Sequence, residues 1–552
     1  MKRFICLLSL LTFFNYISFG QSNTRIPGEK PKLIIGIIVE QMRNDFIQKY
    51  WDKFGEGGFK RLLNEGSNCK NANFNYLFTQ TSVGQATIAT GTTPSYHGIV
   101  SEEWYARLKD KTINCVADDK EKTVGGSFDA GRMSPRQLLT SSIGDEMRLS
   151  SNMKSKVIGI SMQAKSAILS TGQTANAGYW LDDVSGNWVT SSFYMTEIPT
   201  WVKDFDDKKL ADIYMANTWD TKLPIAEYAD RCLPDDNKYE TGISGRHIFP
   251  YSLPEIGSID KGKKKNYGIL KYTPFGNTYT KDFAIATIIN EQLGKDDATD
   301  LLTVSFSSTE YIGQNFGSES VELMDTYIRL DEDIAHFLTF LDQEIGKQNI
   351  LVYMTSDHGM SQNPDYLADK GIPVSFFNAN AAISLLKSYM NAVYGRGDWV
   401  KNYYAQQLYL NRDLIEDSKL NLADVQQKVA QFLLQFAGIA NTITATTLQT
   451  SYFPDGVFSK IQKSYSQKRS GDILINLDPG WIEKNSTSHN SSYSYDTHVP
   501  LIWYGWKIKR STIFEKVDMI DIAPTISYFL NISSPNASIG QPITGLVNQY
   551  KD

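Results

Sequence analysis

The chain has no excess of positive charge, few cysteines and, beyond its first twenty residues, no apolar run long enough to span a membrane. A formal net charge of −6 excludes a nucleic-acid binder, which would carry a basic face. Four cysteines in 552 residues, with no CxxC pair, argue against a thiolate zinc site. Internal repeats and low-complexity tracts are also missing, so a solenoid is excluded. A hydrophobic content of 41% is that of a globular protein with a large core, built as one big domain with insertions or as two or three domains.

The N-terminus has its own character. "MKR" gives a positive start, "FICLLSLLTFFNYI" an apolar stretch and "SFG" a small-residue exit. This pattern predicts a secretory signal peptide over residues 1–20, because the apolar run is too short to span and a cleavage site follows it. Cys6 lies inside the apolar run, too early for lipid attachment after cleavage. The mature protein is therefore expected to be soluble and exported, to a periplasm or the medium. It retains Cys69, Cys115 and Cys232, an odd number that leaves at least one thiol unpaired. A Cys69–Cys115 pair with Cys232 free is the expected arrangement, although sequence alone does not fix it.

Several β-branched apolar runs read as central strands: 32–40, 156–162, 301–306, 349–357 and 498–505. Helical patterns lie between them, as at 325–346 and 422–436. Alternating strands and helices predict an α/β fold with a mostly parallel central sheet and a site near the carboxyl ends of its strands. Glu40, Glu310 and Asp357 stand at or just past such ends. Segments 175–290 and 366–470 read as insertions that roof the site, within one domain spanning 21–552.

Three short stretches carry chemistry. In "TSDHGM" (355–360), Asp357 and His358 end a strand where both can reach one divalent cation; alone, DHG also suits a structural turn. In "YDTHVP" (495–500), His498 opens another strand, where a lone histidine often simply packs. In "TQTSVGQATIATGTTPSYHGIV" (79–100), Thr81 starts a helix. A threonine there usually caps, but a helix N-terminus also favours an ionised nucleophile. Glu310 and Gln314, four apart in "STEYIGQNFG", have metal-motif spacing with an amide in place of the second ligand.

Taken with "LIIGIIVEQMRNDF", "KYWDKFGEGGFKRLLNEG", "KRSGDILI", "YDTHVPLIWYGW" and "VDMIDIAPTISYFLNI", in that order, the chain resembles the alkaline phosphatase superfamily and its exported, monomeric PafA-like branch. The resemblance covers nearly the whole mature chain. It implies phosphate-ester hydrolysis by two zinc ions and a Thr or Ser nucleophile, with cationic side chains gripping the phosphoryl oxygens. Carried over residue by residue, it implies a first metal site of Glu40, Thr81, Asp357 and His358, with Glu in place of Asp at 40. The second site is Glu310, Gln314 and His498, where the pattern has Asp, His and His. In the phosphate pocket, Glu102, Gln163 and Lys165 replace Asn, Lys and Arg; Gln85 and Gln173 replace histidines nearby.

These departures shift the expected donors towards oxygen, hence towards Mg²⁺, Mn²⁺ or Ca²⁺ instead of zinc, with one ion or none. Gaining Glu102 and losing Lys at 163 moves the pocket by −2, against a dianionic ester. Lys165 keeps its charge without the two-pronged grip of Arg. Two readings follow. One is a pseudo-phosphatase that binds a small-molecule ligand without turnover; the other is a metal-dependent ester hydrolase with altered metal and substrate, using Thr81. Neither calls for nucleic acid or a membrane span, and the resemblance implies a monomer.

Overall fold

The structure is a computed structural model that describes residues 30–259, 264–484 and 488–551; the segment read as a signal peptide lies outside them. Pro31–Asp552 forms one compact unit. Its frame is a ten-stranded sheet whose strands, in chain order, are β1 (Leu33–Val39), β2 (Ser67–Asn73), β3 (Thr123–Val124), β4 (Val157–Ser161), β5 (Ala177–Leu181), β6 (Trp188–Ser191), β7 (Asp300–Phe306), β8 (Ile350–Thr355), β9 (Leu501–Gly505) and β10 (Ser511–Asp518). They lie side by side in the order β10-β2-β9-β8-β1-β7-β4-β5-β6-β3. The centre, β8-β1-β7-β4-β5, is parallel, and β9 runs antiparallel to β8.

The sequence of β1 explains its central place. It reads LIIGIIV, buried at every position, with no polar side chain to expose on either face. The two-residue period sends Leu33, Ile35, Ile37 and Val39 into one core and Ile34 and Ile38 into the other. Helices cover both faces. Those that matter below are α1 (Thr81–Thr90), α2 (Ala164–Leu169), α3 (Ser308–Phe316) and α4 (Val321–Glu344).

The two segments read as insertions differ. Residues 175–290 begin by extending the main sheet through β5 and β6, and place Trp188, Trp219, Tyr279 and Phe283 in its core. The long apolar runs that would have announced this are missing because buried aromatics do the packing. Residues 366–470 carry three strands of a separate four-stranded sheet, completed by Ile473–Leu477, with its own core around Leu386, Trp399, Val425 and Leu433. Gln406 and Gln407 tie this part to the loops of the site by donating to the carbonyls of Asn490 and Val100.

The expected Cys69–Cys115 bond is not formed. All three cysteines of the described residues are free thiols, with Cys69 and Cys115 buried. Cys69 sits on β2, whereas Cys115 follows the outlying hairpin 103–114.

Candidate metal centre

Three strand ends and one helix start build the site. Glu40 follows β1, and its backbone N–H is held by the carbonyl of Phe306 at the end of β7. Gln41 then turns through a left-handed conformation (φ 63°) and donates its N–H to Asp357 Oδ1 at 3.0 Å. Asp357 and His358 follow β8, and Glu310 lies in the first turn of α3, just after β7. Thr81 opens α1 from above. That helix comes close enough only because residue 84 is glycine, where an added Cβ would stand 2.1 Å from the Asp357 carbonyl oxygen. Thr81, Glu40, Asp357 and His358 are fully buried, and Glu310 nearly so.

One residue of the cluster carried no motif. His489, in the loop before β9, stacks on His358 with ring centroids 3.8 Å apart and groups with Glu310 and His358 as a potential metal-ligand set. His498, expected as a ligand, is turned the other way. Its Nε2 meets the Lys70 carbonyl at 2.9 Å, and its backbone bridges to Asn73 beside β2. The short helix Ser494–Thr497 stands between the two histidines, of which the earlier lies in the cluster and the later beside β2. The expected division into two ligand groups therefore changes. Glu310 from one group lies with Thr81 and His358 from the other, and His489 lies in the cluster where His498 was expected.

Both imidazoles are oriented for coordination. A carbonyl can only accept, so His358 Nδ1–H donates to Gly359 O (2.8 Å) and His489 Nδ1–H to Thr79 O (2.7 Å). Each ring thus turns its Nε2 to the cluster, the orientation that a backbone carbonyl enforces on metal-binding histidines; burial and His489 keep the Nε2 of His358 unprotonated, whereas at His489 burial is outweighed by Glu310, which raises its pKa. His489 Nε2 is buried with no hydrogen-bond partner. Thr81 Oγ lies 2.9 Å from Glu310 Oε1, to which it donates, and 3.2 Å from His358 Nε2. Glu310 Oε1 is 3.6 Å from His489 Nε2 and 3.9 Å from His358 Nε2. A tetrahedral ion with ligands at about 2.1 Å has donors about 3.4 Å apart, so this set fits one divalent cation.

Gln314 does not compete for such an ion, because its amide donates to Glu310 Oε1 at 3.0 Å. Gln163 Nε2 donates to both Glu40 Oε2 (2.6 Å) and Glu310 Oε2 (2.7 Å). Lys165 reaches Glu102 in a partly buried ion pair. Gln85 bonds Ser305 on β7, whereas Gln173 donates to the carbonyls of Pro135 and Leu138, apart from the cluster. Glu40 Oε1 and Asp357 Oδ2 are buried and unpartnered.

The charges follow from this crowding. Burial, then the charges of Asp357 and Glu310, hold Glu40 well above the carboxylate range. Burial and Glu310 push Asp357 up to about 7. Burial opposes the charge of Glu310 too, but Lys165, His489 and His358 outweigh it and keep that carboxyl well below its usual range. Burial, then His489, drives His358 well below the ordinary histidine range. Carboxylates that cannot all ionise unaided are a further mark of a cation site. Beside the cluster opens a cavity of about 620 Å³, lined among others by Gln314, Asn315, Asn363, Phe376, Lys484 and Ser488.

The comparisons agree with this architecture. The family model of type I phosphodiesterases and nucleotide pyrophosphatases matches residues 34–499. The chain is 39% identical over 530 residues to a Myroides odoratus protein named as a calcium-transporting ATPase, covering 94% of this chain and 95% of that one. It is 36% identical to alkaline phosphatase PafA of Elizabethkingia meningoseptica, covering 96% of each. The crystal structure of wild-type PafA superposes with a TM-score of 0.88 over 93% of this chain and 98% of that one, at 36% identity. The chain therefore belongs to the type I phosphodiesterase/nucleotide pyrophosphatase family, on the PafA-like branch of the alkaline phosphatase superfamily.

Proposed function

We propose that this is an exported, monomeric member of the family that binds a divalent cation and a small-molecule ligand and has lost ordinary phosphomonoesterase turnover. The observation that carries the reading is the Lys165–Glu102 ion pair. Glu40, Glu310, Asp357 and Glu102 bring four carboxyl groups to the site, and Lys165 is its ammonium. With that ammonium spent on Glu102, no described lysine or arginine within the carboxyl cluster itself is left free for a dianionic phosphate, Lys484 lining only the cavity beside it, and charge stabilisation is usually the largest catalytic contribution.

The residues that would hold the cation are Thr81, Glu310, His358 and His489. A bound ion supplies countercharge and Lewis acidity; zinc is implied by the resemblance, Mg²⁺, Mn²⁺ or Ca²⁺ by the oxygen-rich surroundings. Export rests on the N-terminal sequence pattern. Among the described residues no helix is long and apolar enough to cross a membrane.

A second reading, an active ester hydrolase of altered preference, is favoured by Thr81. Its buried hydroxyl stands at the start of a ten-residue helix and already donates to Glu310, which would take its proton as the oxygen attacks an ester. The test is turnover of mono- and diesters by protein loaded with each of several divalent ions, repeated on Thr81→Ala. Bound metal without turnover is the expected result. Turnover abolished by Thr81→Ala would overturn the pseudo-phosphatase reading in favour of the hydrolase.

A further inference from the structure

A side-chain amide bridges two buried carboxyl groups of the cluster. Gln163 leads into α2, and its backbone N–H is fixed to Ser161 Oγ at 3.1 Å. From there Nε2 lies 2.6 Å from Glu40 Oε2 and 2.7 Å from Glu310 Oε2. Its two hydrogens satisfy one oxygen of each carboxylate, as a metal ion bridging them would, but they bring no full charge.

The other oxygens divide in a telling way. Glu310 Oε1 faces Thr81 Oγ, His358 Nε2 and His489 Nε2, all within 3.9 Å of it. Glu40 Oε1 is buried without a hydrogen bond, and so is Asp357 Oδ2, which lies 3.8 Å from His358 Nε2. Glu40 belongs to no group of three clustered ligands among the described residues, whereas Glu310, His358 and His489 form one.

Resting on the reading that this site binds a divalent cation, we infer that the centre is mononuclear: one ion on Thr81, Glu310, His358 and His489, with the Gln163 amide filling the seat of a second ion between Glu40 and Glu310. Gln163 is thereby the residue that sets the metal count. Its removal exposes Glu40 and the second oxygen of Glu310 to a hard, oxygen-seeking cation.

The experiment is Mn²⁺ loading of the full chain, read by native mass spectrometry and by electron paramagnetic resonance. The wild type is expected to carry one Mn²⁺ per folded chain with an isolated six-line spectrum. Gln163→Ala is expected to carry two, with a spectrum broadened by the neighbouring ion, since paired ions sit about 3.5–4 Å apart. Gln163→Asn, one methylene shorter and unable to span both carboxylates, gives a second test should the alanine variant not fold. Two ions in the wild type, or one in folded variants, would overturn the inference while leaving cation binding intact. No ion in the wild type would overturn both.

Discussion

His489 Nε2 stands 3.6 Å from Glu310 Oε1, buried and without another partner, on a ring whose other nitrogen is pinned to the Thr79 carbonyl. A nitrogen so placed is oriented for a metal ion and has no structural bond to lose. His489→Ala is expected to weaken divalent-ion affinity by about 100-fold or more, since it removes one of three strong donors. His498→Ala, which loses only a contact to the Lys70 carbonyl, leaves that affinity unchanged. Competition with a metallochromic dye measures both, and equal losses in the two variants would count against the assignment.

Releasing Lys165 should restore part of an anion site. Glu102→Asn removes the carboxylate that holds the ammonium and moves the pocket by one positive charge. Inorganic phosphate is expected to bind about tenfold more tightly, equivalent to about 1.4 kcal/mol. Calorimetric titration of metal-loaded protein with phosphate reads the change, and an unaltered affinity would mean that Lys165 does not face the ligand.

How much of this could be read from the sequence depends on the kind of signal. The central strands were legible because runs such as LIIGIIV can only be buried on both faces. That Glu40, Glu310 and Asp357 come together was legible because all three follow neighbouring strand ends. His489 was not: "STSHNSSYSYDTHVP" holds two histidines nine residues apart, and only His498 sits in an ordered motif beside a strand. Histidine is scarce, six in the chain, so testing each was the available signal. Which one turns inward is a tertiary fact. The Gln163 bridge was likewise invisible, because a glutamine in place of a lysine reads only as lost charge until its amide is located.

Gly84 tests the approach of α1 to the strand ends. An added Cβ there would meet backbone, at 2.1 Å from Asp357 O, and not the yielding end of a side chain. Gly84→Ala is expected to destabilise by about 3 kcal/mol, at the upper end of overpacking costs, even though alanine favours helix. Urea denaturation gives the value; a neutral substitution would mean that the helix is free to move outward.

The free cysteines make a separate claim. Burial pushes the thiols of Cys69 and Cys115 up to about 12, so neither carries appreciable thiolate at neutral pH. Both are expected to resist a thiol reagent in the folded protein and to react on unfolding, without prior reduction. A need for reductant would restore the disulfide.

Asp206 offers a pH test away from the metal cluster. Its carboxylate is buried against the strand edge, where it accepts the Trp188 N–H, and burial pushes its pKa to about 7 from an ordinary value near 3.8. The folded state therefore keeps a proton that the unfolded chain has already released. Stability falls as pH rises whenever the folded state binds more protons. This contribution is full below about pH 4 and is lost progressively up to about pH 7. Asn keeps the oxygen that accepts from Trp188 and cannot ionise. Asp206→Asn is thus expected to be closer to wild type at pH 4.5 and more stable than it at pH 8. Chemical denaturation across that range gives the slopes; parallel curves for the two proteins would show that Asp206 is ionised in the fold.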